Sequence, residues 1–206
     1  EAEELERVLR PVSAIREKFP EAILAIDTFR SNVARAALDA GASIVNDISA
    51  GSLDQNLPPL VAQRRVPYII MHMRGTPQTM NTLATYDSLL TELVAYFEDK
   101  INRFDALGIT DLIIDPGFGF AKTIDHNFEI LSHLEYLTVL GRPILAGLSR
   151  KSMIWKTLGI TAAEAINGTT CLNTLALLKG ASILRVHDAA EARQVLTLMD
   201  RIHSFS

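Results

Sequence analysis

The sequence predicts an α/β protein of the parallel (β/α)8 TIM-barrel class, with about six βα units present in this chain. Three observations predict it. Four times a helical stretch runs through glycine straight into a short apolar segment: Asp39-Ala40-Gly41-Ala42, Ala106-Leu107-Gly108-Ile109, Val139-Leu140-Gly141-Arg142 and Leu178-Lys179-Gly180-Ala181. Glycine just past a helix end takes the left-handed backbone without steric cost, so each instance marks a helix stop. The apolar runs do not alternate with polar residues, as expected for strands covered on both faces. The first run is followed by Asp27-Thr28-Phe29-Arg30, not by the glycine-rich turn of a doubly wound nucleotide fold, which favours the barrel over the open sheet.

In chain order the strands are expected at about 23–27, 42–47, 67–73, 110–115, 143–148 and 182–187. Amphipathic helices are expected near 31–40, 54–64, 87–106, 126–139, 162–179 and 189–203. Asp87 is the expected cap of the longest, and Thr161 with Glu164 forms a capping-box pattern. Strand, helix, strand throughout implies parallel strands with right-handed crossovers. A helix opens the chain with no strand before it, and a barrel has eight strands. The expectation is therefore a single domain over 1–206, truncated at its amino terminus by two strands.

Composition narrows the function. The 206 residues are 48% hydrophobic, enough for a sizeable core, and the net charge of −4 is spread along the chain. That balance argues against nucleic-acid binding and against a polybasic membrane contact. No apolar run approaches the ~20 residues of a membrane span. The single cysteine, Cys171, cannot form an intrachain disulfide, so the cytoplasm is the expected compartment. No signal peptide is visible at Glu1–Leu9; because the chain does not begin with methionine, a signal on a longer precursor stays open.

The chemistry lies where the apolar runs stop. They end in Asp27-Thr28, Asn46-Asp47, His72-Met73-Arg74, Asp115-Pro116-Gly117, Ser149-Arg150-Lys151 and Arg185-Val186-His187-Asp188. In a parallel barrel these positions converge on the face that holds active sites. Any one strand must end in polar loop residues; all six doing so points to a site. Asp27, Asn46 and Asp115 offer acceptors suited to a flat ring edge carrying N–H donors. Lys151, Arg150, Arg185 and His187 bring positive or switchable charge from the last two strands, suited to phosphate. The alternative for Arg185 and His187 is a structural ion pair with Asp188. Phe118 and Phe120 are expected to form an apolar wall in the glycine-rich loop after Asp115. Arg74–Met80 is a lid candidate or a plain connection. His126, His133 and His203 match no metal-ligand spacing, and no serine is paired by sequence with an activating histidine.

Taken together, Ile26-Asp27-Thr28, Asn46-Asp47-Ile48, Met71-His72-Met73, Asp115-Pro116-Gly117-Phe118-Gly119-Phe120, Ser149-Arg150-Lys151-Ser152 and Arg185-Val186-His187-Asp188 resemble the dihydropteroate synthase family. The resemblance implies condensation of 6-hydroxymethyl-7,8-dihydropterin diphosphate with p-aminobenzoate to give 7,8-dihydropteroate and diphosphate, by a route in which diphosphate leaves before the amine attacks. It implies pterin binding by Asp27, Asn46, Ile48, Met71, Asp115, Gly147 and Lys151, and diphosphate binding by Arg185 and His187. It further implies that Phe120, Ser149 and Arg150 lie near p-aminobenzoate, where sulfonamides compete. Asp27, Lys151, Arg185 and His187 would be the catalytic set, with Mg2+ carried on the diphosphate and no metal ligand in this chain. A homodimer through the apolar helices of the last third is also implied. Ala121 stands where glycine is frequent, which would stiffen that loop without abolishing binding; the family's first two strand loops have no counterpart here, so the 206 residues alone are expected to be inactive or very weak. A corrinoid-linked methyltransferase with the same pterin-binding barrel fits less well, because methyl transfer has no diphosphate to hold. A noncatalytic pterin-binding module is a further alternative. An aldolase barrel would want a Schiff-base lysine inside a strand.

Overall fold

A computed structural model describes residues 2–75, 79 and 83–205. Most of the lid candidate, Thr76–Gln78 and Met80, lies outside the described residues. Six strands, β1 (Ala25–Asp27), β2 (Ile44–Asp47), β3 (Tyr68–Met71), β4 (Leu112–Asp115), β5 (Ile144–Ala146) and β6 (Ala181–Leu184), follow one another in a single sheet in chain order. The registered neighbours are parallel. The chain divides into two compact units: residues 1–72 with 96–114, and residues 73–95 with 115–206.

In the first unit, α1 (Ala2–Lys18), α2 (Ser31–Asp39) and α3 (Leu57–Arg64) accompany β1 to β3. α2 buries Val33, Ala34 and Ala37, the spacing of one helical face. Pro58 and Pro59 stand in the first turn of α3, where a missing N–H costs nothing. α3 starts later than expected because Asp54 is engaged elsewhere: its carboxylate accepts from the Ser31 amide at 2.7 Å and the Asn56 amide at 2.9 Å. α4 (Leu89–Ala106) begins in the second unit and ends in the first, with Leu89, Leu93, Phe97 and Phe104 forming its buried stripe. Asp87 stands two residues before α4 and has no cap hydrogen bond among those described; its amide instead donates to Glu92.

In the second unit, α5 (Ile124–Ser132) and a 3-10 helix (Leu134–Leu140) occupy the stretch expected as one helix. A capping box opens α5: Thr123 Oγ1 accepts from the His126 amide at 3.1 Å, and the Thr123 amide donates to His126 Nδ1 at 3.3 Å. α6 (Ser152–Leu158) precedes α7 (Ile166–Leu178), which is shorter than expected, and α8 (Ala189–His203) follows β6. The Thr161–Glu164 pattern does form hydrogen bonds, at 2.8 and 2.9 Å, but it closes a turn ahead of α7 rather than capping the helix. The four helix-stop glycines all take left-handed backbone, at φ 110, 83, 62 and 98° for Gly41, Gly108, Gly141 and Gly180.

Candidate active site

In the first unit, strand register decides which side chains share a face. Asp27 pairs with Asn46, and Asn46 with Ile69. Residues paired across parallel strands point the same way, and alternate residues share a face. Asp27, Asn46, Ile69 and Met71 therefore line one face. Ile26, Val45, Asp47, Tyr68 and Ile70 line the other, and all five are buried. Asn46 and Met71 are buried, Asp27 is exposed and Ile48 half-buried just past β2. The first unit thus brings together an acid, an amide and a thioether on one face.

In the second unit, Asp115 closes β4 at 1% exposure. One carboxylate oxygen accepts from the Gly117 amide at 2.8 Å, and the other holds Arg185 Nη2 at 2.7 Å. The Arg185 amide donates to Ala146 O at 3.0 Å, which anchors the residue beside β5. Gly147 makes room for it: a Cβ there would lie 2.8 Å from Arg185 Nη2. Lys151 Nζ donates to Phe118 O and lies 5.1 Å from the centre of the Phe120 ring. Burial lowers the Lys151 amine to about 8, with Asp115 opposing and Arg185 adding to the shift. Burial likewise lowers Lys122 to about 7, against the pull of Asp115 and with the push of Lys151 and Arg74. Lys122 donates to Gly117 O at 3.1 Å and Phe120 O at 3.0 Å, closing the loop after β4.

Gly147, Ser149, Lys151, Arg185, Val186 and His187 line a cleft of about 120 Å³. Larger hollows of about 430 and 560 Å³ lie near Val61–Val66 with Leu107–Asp111 and along β6 with α8. Neither is lined by a residue expected to act, so volume alone does not locate the chemistry.

Several residues are tied differently from what their types suggested. Arg150, at φ 53°, binds Asp188 through Nε and Nη2, both at 2.9 Å, and its Nη1 donates to Ala162 O and Ala163 O. Four of its five N–H donors are used within its own unit. Asp188 is thus the partner of Arg150, while Arg185 is the partner of Asp115. Ser149 Oγ accepts from the His187 amide at 3.2 Å and faces His187 Nδ1 at 3.0 Å. Phe118 is fully buried, leaving half-buried Phe120 as the aromatic beside Lys151. Neither Lys122 nor Asp47 is assigned a ligand by the sequence reading; nothing in a string separates a buried lysine or aspartate from an exposed one.

Parallel βα units that carry acids, an amide and cations at the carboxyl ends of their strands make this a β/α-barrel enzyme. The pterin binding enzyme family model matches residues 1–187. The dihydropteroate synthase of Synechocystis sp. is 39% identical over 203 residues, covering 97% of this chain and 70% of that protein. The Escherichia coli dihydropteroate synthase is 36% identical over 200 residues, with 96% and 70% covered. The Yersinia pestis dihydropteroate synthase, solved with a sulfonamide drug complex, aligns at a TM-score of 0.94 and 34% identity over 99% of this chain and 74% of that one. The Xanthomonas albilineans dihydropteroate synthase, solved with 4-aminobenzoic acid, gives 0.91 and 36% over 98% and 72%. The chain belongs to the dihydropteroate synthase family, transferases of folate biosynthesis.

Proposed function

We propose that this chain serves the reaction of its family, in which 6-hydroxymethyl-7,8-dihydropterin diphosphate and p-aminobenzoate form 7,8-dihydropteroate. The observation that carries the reading is the cleft lined by Lys151, Arg185 and His187, with Arg185 clamped to buried Asp115. Asp27, Asn46, Asp115 and Lys151 would hold the pterin edge, Ile48 and Met71 its faces, and Gly147 would leave room beside Arg185. Arg185 and His187 would stabilise the departing diphosphate, which takes the electron pair of the breaking carbon–oxygen bond. Asp27 would offset the positive charge left on the pterin methylene. The aromatic amine then attacks that carbon and loses a proton; a neutral amine needs no strong base. Phe120, Ser149 and Arg150 would border p-aminobenzoate, the position at which sulfonamides would compete.

Mg2+ would travel with the diphosphate and act on it as a Lewis acid. Among the described residues no group of three His, Cys, Asp or Glu is placed to hold a metal. The family match runs through both compact units, which supports one pterin-binding domain over 1–206. Among the described residues no helix is long and apolar enough to cross a membrane. Cys171 is a free thiol, which supports a cytoplasmic location. Calorimetric titration of the full-length protein tests the activity: diphosphate should tighten p-aminobenzoate binding by about tenfold, a coupling near 1.4 kcal/mol. Equal affinity with and without diphosphate would sink the reading.

A homodimer through α7 and α8 belongs to the same proposal, supported by Leu178, Leu198 and Ile202, which are 63, 67 and 58% exposed. Sedimentation at micromolar concentration should give twice the chain mass; a single-chain mass would dismiss the dimer.

A further inference from the structure

Asp47 stands between Asn46 and Ile48, yet its carboxylate is fully buried on the opposite face of β2 from Asn46. Oδ1 accepts from the Ser49 amide at 2.8 Å and the Ser49 hydroxyl at 2.7 Å. Oδ2 accepts from the Gly51 amide and the Tyr68 hydroxyl, both at 2.7 Å. Those four donors fill the acceptor sites of a carboxylate, so none is left for a ligand.

The four bonds tie down a turn that local preference does not favour. Ala50 and Gly51 both take left-handed backbone, at φ 47 and 73°. A non-glycine residue there persists only when its surroundings hold it. The hold has two struts. One is Asp47 with Tyr68, whose ring meets Phe104 edge-on at 5.4 Å. The other is Lys100 of α4, whose Nζ donates to Ala50 O at 2.9 Å. Burial lowers the Lys100 amine, with Arg103 adding to that shift and Asp99 and Asp47 opposing it. A buried carboxylate is a poor way to gain stability compared with apolar packing of the same shape. What this one supplies is a fixed exit for the chain from β2.

We propose that Asp47, braced by Tyr68 and Lys100, is a positioning residue that sets Asn46 and Ile48 against the pterin ring. The proposal rests on the reading that Asn46 and Ile48 contact the pterin. Strand alternation turns Asn46 to the site face while Asp47 anchors the same backbone from behind, so a change at the anchor is transmitted as a rotation of the strand end.

The test is a set of single variants of the whole chain, titrated with 6-hydroxymethylpterin and separately with p-aminobenzoate, alongside thermal melting. Tyr68→Phe keeps the ring and removes one of the four bonds. It should weaken pterin binding about tenfold, the size of effect seen when groups orienting a binding residue are lost. Its p-aminobenzoate affinity should stay within about twofold of the parent, a split that general loosening would not give. Lys100→Met should act in the same direction. Asn46→Ala separates the two layers of the argument. If it weakens pterin binding and Tyr68→Phe does not, or if Tyr68→Phe weakens both ligands in step with its melting temperature, the positioning role is overturned. If Asn46→Ala also leaves pterin binding untouched, or the unaltered chain binds no pterin, the site reading fails and the proposal with it.

Discussion

Stability against denaturant should climb as pH rises from about 7 to 9.5, and replacing Lys122 by methionine should flatten the climb. The Lys122 amine is lowered to about 7 and that of Lys151 to about 8 from an ordinary 10.5, by burial first and then by neighbouring cations. Between those values and 10.5 the unfolded chain binds more protons than the folded one, so stability rises with pH across that window. Below pH 7 both amines are charged in either state and the full cost of burying them is present. Each amine contributes a slope of at most about 1.4 kcal/mol per pH unit. Solvent reaching the half-buried side chains reduces this, so roughly 2 kcal/mol should separate pH 6 from pH 9.5 for Lys122. Urea unfolding at four or five pH values measures it. A Lys122→Met profile parallel to that of the parent would refute the assignment. A diphosphate in the cleft reverses the balance: its negative charge favours both ammonium forms, so binding above pH 8 should take up protons.

What the sequence revealed of this arrangement followed from periodicity and position. Non-alternating apolar runs marked the six strands, and glycine marked the four helix stops. The residues ending the runs at Asp27, Asn46 and Asp115 do close β1, β2 and β4 or stand one residue short of the end. Arg185 and His187 lie beyond β6 instead of within it, because β6 ends at Leu184. The losses came where a side chain's meaning depends on a distant partner. Arg150 looked like an open cation, yet its guanidinium is satisfied by Asp188, which is remote in sequence and adjacent in the fold. The α5 capping box does not match the usual sequence pattern, because histidine takes the place usually held by glutamate or glutamine. Asp47 and Asn46 are neighbours in the chain, and only the pairing register separates the residue that faces the site from the one that anchors it.

The largest effect on ligand binding should come from Arg185. Replacing it by methionine removes the partner of a carboxylate that is 1% exposed, a kind of change that typically costs 3–5 kcal/mol when both charges are buried. Here the side chain of Arg185 is 41% exposed, and the Lys151 and Lys122 amines remain close enough to Asp115 to act on it. The expected loss of stability is therefore smaller, about 1–2 kcal/mol. With one like charge gone, the Lys151 amine should also shift upward from about 8. Affinity for inorganic diphosphate should fall further than stability does, by ~10- to 100-fold, since a charge-assisted contact to phosphate contributes roughly 1.5–3 kcal/mol. Arg185→Lys should recover part of that, keeping the charge but not the fork of donors. Gly147→Ala offers the same test without touching the charge, because the added methyl would meet Nη2 at 2.8 Å and push the guanidinium from its seat. If both variants act through one guanidinium, Gly147→Ala combined with Arg185→Met should bind diphosphate no worse than Arg185→Met alone. Diphosphate affinity within twofold of the parent in Arg185→Met would remove Arg185 from the leaving-group site.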